Sequence, residues 1–318
     1  MFSLSHKAKQ YLLVALKVLI LGATFIYIYI KLAETNASVI TILKSPFQNT
    51  TQDLTRQLIL IFILVLGNWF FEISKWKIAI SHLQHISYLR ALKESLSALT
   101  VSLTTPNRIG DYGAKAYFYA ADKRKKILLL NFLVSGSQMA VTCIFGTIGI
   151  LFIVLNYDLK LQTTTLILLS IVALLFAFLV YLFKERELLI KGFSIANVWR
   201  YYGIIDTSIK IKVMVFSVIR YVLFSYLFYY LLCFFGAEIS LHLTIFFIFA
   251  MYLLVSILPS VFIFDVVVRG GVAVWLFSII GVDEVIVLAT VLAMWVLNTI
   301  IPAVLGSYFV ARYKHTIA

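Results

Sequence analysis

The chain has 318 residues, of which 62% are hydrophobic and 13% are charged, and its formal net charge is +13. A mean hydropathy of +1.00 exceeds what the core of a soluble protein can hide, so the composition excludes a soluble globular domain and predicts an integral membrane protein. Positive charge in a membrane protein usually sets its orientation, and we therefore expect no nucleic-acid partner.

Long apolar runs alternate with charged and turn-forming segments, and they show little of the period-two pattern of strands. About 20 apolar residues in a helix cross ~30 Å of hydrocarbon. We predict an all-α polytopic membrane protein, a single integral membrane domain over 1–318. Its seven spanning helices are expected at 11–30, 58–78, 127–155, 163–183, 213–235, 241–258 and 285–311. The first run is too long for the core of a signal peptide and is interpreted as a retained anchor.

The predicted spans are joined by two polar regions of different character. Between the second and third spans, residues 90–103 and 107–121 are predicted to form two shorter helices. Residues 184–212 contain no spanning run, and their charges mixed with Trp199 and Tyr202 indicate a linker in the membrane interface.

Lysine and arginine are distributed unevenly over this topology. Twenty of them lie on the side that carries both termini and four lie on the opposite side. The preference of basic residues for the cytoplasm therefore predicts cytoplasmic termini and an external segment over 31–57. Lys75, Trp76 and Lys77, which follow each other near the end of the second span, have the pattern of side chains at a membrane interface.

A polar stretch from 104 to 119, referred to below as the first motif, is unusual in so apolar a chain. It contains the candidate binding residues Pro106, Arg108, Gly110, Asp111 and Lys115. Pro106 lacks an N–H and disfavours helix before it, so a helix is expected to break there and restart. The new helix start offers N–H groups and a positive dipole end to a phosphate. The Arg108 guanidinium beside it can form a bidentate hydrogen bond with two phosphate oxygens. Gly110 either admits a ligand or packs helices together.

The stretch from 258 to 277, the second motif, repeats this arrangement. Its candidate binding residues are Pro259, Asp265, Arg269 and Gly270. Asp265 and Arg269 each lie 154 residues after their counterparts Asp111 and Lys115. The spacing predicts two Pro-broken re-entrant segments, one in each unit of an inverted repeat. The units are approximately 58–155 and 213–311, joined by the fourth span and the interfacial linker, and transporters of this construction bind substrate near the midplane.

An acid followed by a base four residues later forms a favourable pair on one helix face. Asp206 and Lys210 have the same spacing in a charged linker, where a solvated pair suffices to explain them. Asp111/Lys115 and Asp265/Arg269 are predicted at membrane depth, where each charge costs ~3 kcal/mol or more. Both a substrate pathway and a purely structural ion pair account for them.

Several other polar residues fall within the predicted spans. Glu72 and Arg220 are expected to pair across the bundle. Asn298, Ser135, Ser137 and Gln138 either line a polar cavity or bond between helices. No metal or other cofactor and no catalytic residue is expected, because the isolated cysteines and histidines give no ligand set.

The sequence of the first motif, Thr-Pro-Asn-Arg-Ile-Gly-Asp over 105–111, resembles the Thr-Pro-Gly-x-x-Gly-Glu segment of the lysylphosphatidylglycerol synthase transmembrane (flippase-like) family. Residues 259–281 are similar to that family's second Pro- and Gly-containing segment. Two departures stand out: Asn107 occupies a usual Gly position, and the second motif carries Asp265 and Arg269 in place of a Gly-rich segment with an Arg-Glu pair. The likeness covers nearly the whole chain.

The resemblance implies a stand-alone transporter in a bacterial-type plasma (inner) membrane. Its partner would be a membrane phospholipid or a lipid-linked substrate, aminoacylated or polyprenyl-linked, which it moves between leaflets. We expect no synthase domain, because the chain ends seven residues after the last predicted span. A membrane-embedded transferase with a lipid-linked donor and a non-catalytic envelope assembly protein remain as alternatives. The absence of Asp-x-Asp and of a large loop for a nucleotide sugar weighs against the transferase.

Overall fold

The structure is a computed structural model that describes residues 51–103, 105, 110–157, 195–258 and 264–312. These described residues are almost all helical. In the first half the helices are α1 Thr51–Ile80, α2 Tyr88–Ser102, α3 Gly110–Tyr117 and α4 Ala121–Asn156. In the second half they are α5 Ile195–Ile204, α6 Thr207–Phe234, α7 Leu241–Ile257, α8 Phe264–Ser278, α9 Glu284–Trp295 and α10 Ile301–Ala311, with a π-helical turn Val296–Ile300 between the last two.

Four helical stretches in the described part of the chain are long and apolar enough to cross a membrane. They are Gln52–Ile80, Ala121–Asn156, Thr207–Phe234 and Glu284–Ala311. Large apolar side chains on their outer faces, such as Phe62, Leu155 and Val304, are more than half exposed, as expected of a surface in contact with lipid. These features agree with the predicted helical membrane protein.

Two of the seven predicted spans, 11–30 and 163–183, lie outside the described residues. A third, predicted at 241–258, corresponds to α7, which is apolar but has only 17 residues. The total number of spans and the re-entrant segments therefore stay predictions.

Local sequence signals set several of the helix ends. The Ser87 hydroxyl accepts a hydrogen bond from the Arg90 amide at the start of α2, and the Asp283 carboxylate accepts one from the Val285 amide at the start of α9. Gly236 and Gly281 follow α6 and α8 with φ of 100° and 71°, a backbone conformation that glycine adopts at little cost. These signals keep the turns short and place successive helices side by side.

Some helices extend beyond their predicted bounds, and at α4 the reason is that basic residues with good helix propensity precede the apolar run. α4 begins at Ala121, six residues before the prediction, and α1 continues to Ile80. Lys75 and Trp76 are inside the protein, 1% and 0% exposed, so their side chains do not reach out toward lipid headgroups or water as the interface pattern predicted. α1 packs against α2 and α4. Glu94 of α2 accepts a hydrogen bond from the Trp76 indole, and Gln138 of α4 accepts one from Lys75.

The two halves pack closely against each other. α1 packs along α6, α4 along α7, and α2 along α10. Small residues permit the last two approaches: a Cβ at Gly149 would clash with the Phe246 carbonyl, and one at Gly306 would clash with the Leu96 carbonyl. The close contacts hold the polar faces of α1, α3, α4 and α6 around a common interior space.

Candidate functional site

A cavity of about 350 Å³ lies among α1, α2, α3, α4 and α6, with the π-helical turn at one wall. This space is referred to as the first cavity. Its charged lining residues among those described are Glu72, Lys75, Asp111, Lys115 and Arg220. Polar side chains of α4 complete the wall, including Ser135 and Gln138, so both line a polar cavity, which is one of the two alternatives expected for them. Gln138 also forms the alternative, hydrogen bonds between helices. Ser137 instead donates to the Leu133 carbonyl in its own helix.

Asp111 and Lys115 of the first motif form the predicted pair, with 3.5 Å between the Lys115 Nζ and the Asp111 Oδ2. Asn131 of α4 ties them together: its amide nitrogen donates to Asp111 Oδ2 at 2.7 Å, and its oxygen accepts from Lys115 Nζ at 2.8 Å. The ammonium also lies 4.7 Å from the centre of the Trp76 ring. Lys115 is 2% exposed, so these three neighbours replace the hydration that burial removes.

A second polar group joins the two halves at the other side of the cavity. Arg220 Nε of α6 lies 3.2 Å from Glu72 Oε2 of α1, which confirms the predicted pairing across the bundle. Lys75 Nζ lies 3.0 Å from the same oxygen. Gln138 Oε1 accepts from both bases, at 3.0 Å from Lys75 and 3.2 Å from Arg220. Two bases thus share one carboxylate and one amide oxygen.

The charges that line the first cavity do not balance. Lys75, Lys115 and Arg220 contribute three positive charges, whereas Glu72 and Asp111 contribute two negative ones. Counted over the described lining residues, one positive charge is left over. In a site enclosed by apolar helices this excess attracts an anion more strongly than it would in water.

Glu94 holds Trp76 beside the first cavity, although it does not line that cavity itself. The carboxylate is fully buried and accepts hydrogen bonds of 2.7 Å from both the Trp76 indole and the Tyr119 hydroxyl. Arg90 forms an ion pair with its other oxygen at 2.9 Å. Burial, with the Glu94 carboxylate adjacent, raises the pKa of Tyr119, so the hydroxyl stays protonated and donates at neutral pH. Trp76 is thereby fixed under the Lys115 ammonium.

A smaller space of about 180 Å³, the second cavity, lies between α6, α7, α8 and α9 in the other half. Arg269 of the second motif lines it and forms the predicted pair with Asp265, with 2.9 Å between Nε and Oδ2. Arg220 and Asn298 line both cavities, so they form the wall between them. Asn298 lies in the π-helical turn and its side-chain oxygen accepts from the Asn68 amide at 2.9 Å.

The glycines of the motifs pack closely. The Gly110 amide donates to the Thr105 hydroxyl at 2.7 Å, and a Cβ there would lie 2.9 Å from the Val101 carbonyl. Gly270 is buried, and a Cβ would lie 3.1 Å from a Leu288 methyl. These contacts explain the glycines by packing, whereas a direct role in binding stays a prediction.

The remaining predicted site residues, Pro106, Arg108 and Pro259, lie outside the described residues. Described helices nevertheless end at Ser102 and Ile257 before each proline, and new helices begin at Gly110 and Phe264 after it. In the described part of the chain no three His, Cys, Asp or Glu side chains come together as metal ligands.

Four contributors to the site are missing from the sequence-based prediction: Lys75, Glu94, Asn131 and Trp76. Each contacts a partner on another helix, and no spacing within a single helix signals such a contact. The sequence does contain a signal for Lys75. It lies three residues after Glu72 within an apolar run, so the two opposite charges fall on the same helix face.

Comparison with protein-family models, curated protein sequences and solved structures finds no match for this chain. The functional assignment therefore depends on the cavities and their charges.

Proposed function

We propose that this protein moves a phosphate-bearing lipid between the two leaflets of a membrane, with the lipid headgroup held in the first cavity. The observation that carries the proposal is the excess positive charge of that cavity, inside a bundle of helices long enough to span a bilayer. A buried charge is costly, and a lipid phosphate would supply the missing negative charge.

The first motif supplies the entrance in this proposal. Arg108 and the helix start after Pro106 receive the phosphate, while Asp111 holds a headgroup ammonium or neutralises Lys115. Lys123 and the three basic residues after it are mostly exposed at the start of α4 and attract anionic headgroups to the membrane surface.

We further propose that the two halves are inverted repeats, with their site between them. A shift of 154 residues moves α2 from 88–102 to 242–256, within α7 at Leu241–Ile257. The same shift moves the start of α3 onto the start of α8 at Phe264, and the end of α1 onto the end of α6 at Phe234. This agreement of helix ends supports a duplicated unit of the kind that transporters use.

The proposal is tested by reconstituting the purified protein in vesicles that carry fluorescent phospholipid in one leaflet. Exchange of label between leaflets, without a new lipid species by mass spectrometry, is the expected result. Formation of a new lipid would instead identify a transferase with a lipid-linked donor. Neither exchange nor product would contradict both activities and leave a role in envelope assembly.

The place of the headgroup is tested separately with two variants of the first motif and its surroundings. Arg108→Lys keeps the charge but loses the paired geometry of the guanidinium, so binding of lipid to purified protein should weaken about tenfold. Glutamine at all four positions 123–126 should slow association and leave the affinity nearly unchanged. The opposite outcome would put the site elsewhere.

A further inference from the structure

We infer that the second cavity is an oxyanion site of its own, which binds a phosphate group between Arg220 and Arg269. This inference goes beyond lipid transport, because it concerns a binding equilibrium that exists whether or not any lipid crosses the membrane. It rests on three features of the cavity: its charged residues, the hydrogen-bond donors they leave available, and a buried hydroxyl.

The charged residues that line the second cavity, among those described, are both arginines. Arg220 comes from α6 and Arg269 from α8, and their side chains are 25% and 28% exposed. Their carboxylate partners, Glu72 and Asp265, do not line this space in the described part of the chain. The wall of the cavity is therefore positive although each arginine has a counter-charge behind it.

Each guanidinium retains donors for a ligand. Arg269 meets Asp265 through Nε, which leaves its two terminal nitrogens out of that contact. Arg220 uses Nε toward Glu72 and one hydrogen of Nη1 toward Gln138. A guanidinium has five N–H donors, so both side chains can present terminal N–H groups to one tetrahedral anion.

Tyr252 of α7 supplies an independent indication. It is 9% exposed and lines the second cavity, and its hydroxyl has no hydrogen-bond partner among the described residues. A buried hydroxyl without a partner is uncommon in proteins because its lost hydration is not replaced, so such a group calls for an acceptor. An oxyanion held by the arginines would provide that acceptor.

The rest of the lining limits the ligand to a compact one. Phe224, Phe228 and Trp295 form apolar walls, and Asn298 and Thr299 of the π-helical turn add polar groups at the boundary with the first cavity. A volume of about 180 Å³ accommodates a phosphate group and a small substituent. The phosphate belongs either to a lipid headgroup or to a free inorganic anion, and the chemistry of recognition is the same.

The test is equilibrium dialysis of the purified full-length protein against radiolabelled inorganic phosphate. We expect saturable binding to the unchanged chain. The double variant Asp265→Asn/Arg269→Gln removes both charges of the pair, so that no buried carboxylate is left without its counter-charge. It should weaken phosphate binding about tenfold or more. Tyr252→Phe removes only the hydroxyl and should weaken binding about three- to tenfold. Arg200→Gln, a change on the exposed side of α5, is the control and should leave binding unaltered.

Competition by short-chain phosphatidylglycerol, below its micelle concentration, distinguishes the two sources. Displacement of phosphate by the lipid shows that the site accepts a headgroup, and phosphate binding that persists shows a site for the free anion. Absence of saturable phosphate binding, or an affinity in the double variant and in Tyr252→Phe that equals that of the unchanged chain, overturns the inference. If the double variant does not fold, the phosphate affinity of Tyr252→Phe alone decides whether the inference holds. Leaflet exchange that fails while phosphate still binds rejects lipid transport and leaves the oxyanion site standing.

Discussion

Asp111 and Lys115 are one helical turn apart, but the protein surrounds them differently. Lys115 is almost completely buried, whereas the Asp111 side chain is 24% exposed toward the first cavity. The aspartate can therefore exchange partners with a ligand while Asn131 and Trp76 keep the ammonium in place.

Asp111→Asn is expected to reduce leaflet exchange at least about tenfold, because it leaves the buried Lys115 without its carboxylate. The matched control is Asp206→Asn, which alters an exposed aspartate before α6. Exchange in vesicles is measured together with the melting temperature, so that misfolding is recognised. Equal exchange in the two variants would reject the pair as part of the pathway.

Glu94 is a residue whose importance is structural. Glu94→Gln puts an amide NH₂ beside the Trp76, Tyr119 and Arg90 donors, so at least one of them loses its acceptor. We expect a loss of about 2–4 kcal/mol in the free energy of unfolding, measured by denaturation in detergent. Glu238→Gln changes an exposed glutamate and should have almost no effect. A similar small effect at Glu94 would show that the bonds to its carboxylate contribute little.

For individual side chains, the sequence predicted contacts within a helix and missed most contacts between helices. Asp111/Lys115 and Asp265/Arg269 followed from a spacing of four residues, and both pairs form. Asn131 as the bridge in the first cavity did not follow, because its position depends on how α3 packs on α4. The pairing of Glu72 with Arg220 was an exception, since two opposite charges in apolar spans have few alternative partners.

Among the elements, α2 and α10 make one of the closest approaches in the molecule. The Thr100 hydroxyl donates to the Ala303 carbonyl at 2.9 Å across this contact, and Gly306 leaves no space for a side chain. α10 follows the π-helical turn, so the contact also fixes the position of Asn298 between the cavities.

Gly306→Ala is expected to destabilise the protein by about 1–3 kcal/mol, because the added methyl group clashes with backbone and cannot be accommodated by a rotamer change. Gly203→Ala in α5 is the control, since a Cβ there meets no atom within 4 Å. Alanine at that position should be neutral or slightly stabilising. Thermal unfolding of both variants in detergent makes the comparison, and an unaltered melting temperature for Gly306→Ala would contradict the close packing.

The helices themselves were predicted better than their ends and their interruptions. Apolar runs identify α1, α4 and α6 because length and hydropathy alone distinguish a span. The π-helical turn Val296–Ile300 was not predicted, because a single extra residue in a turn leaves the apolar pattern of the sequence nearly unchanged.

The orientation of the whole molecule in the membrane is a prediction from the distribution of its basic residues. After Cys143 and Cys233 are replaced by serine, Gln52→Cys at the start of α1 should react with an impermeant maleimide in intact cells. Lys125→Cys at the start of α4 should react only after permeabilisation, because the basic side is predicted to be cytoplasmic. Both positions are exposed. The reverse pattern of labelling would invert the topology and remove the cytoplasmic entrance at the first motif.

The shared wall between the cavities has a genetic consequence. Glu72→Gln removes the carboxylate that Arg220 and Lys75 have in common, which leaves surplus positive charge on both sides of the wall. Second-site suppressors that restore the melting temperature should therefore neutralise a base, Lys75 of α1 or Arg220 of α6, rather than introduce an acid elsewhere. A library of such suppressors, sequenced after heat selection, would contain residues of both halves, since a defect in one half of the molecule is relieved from the other.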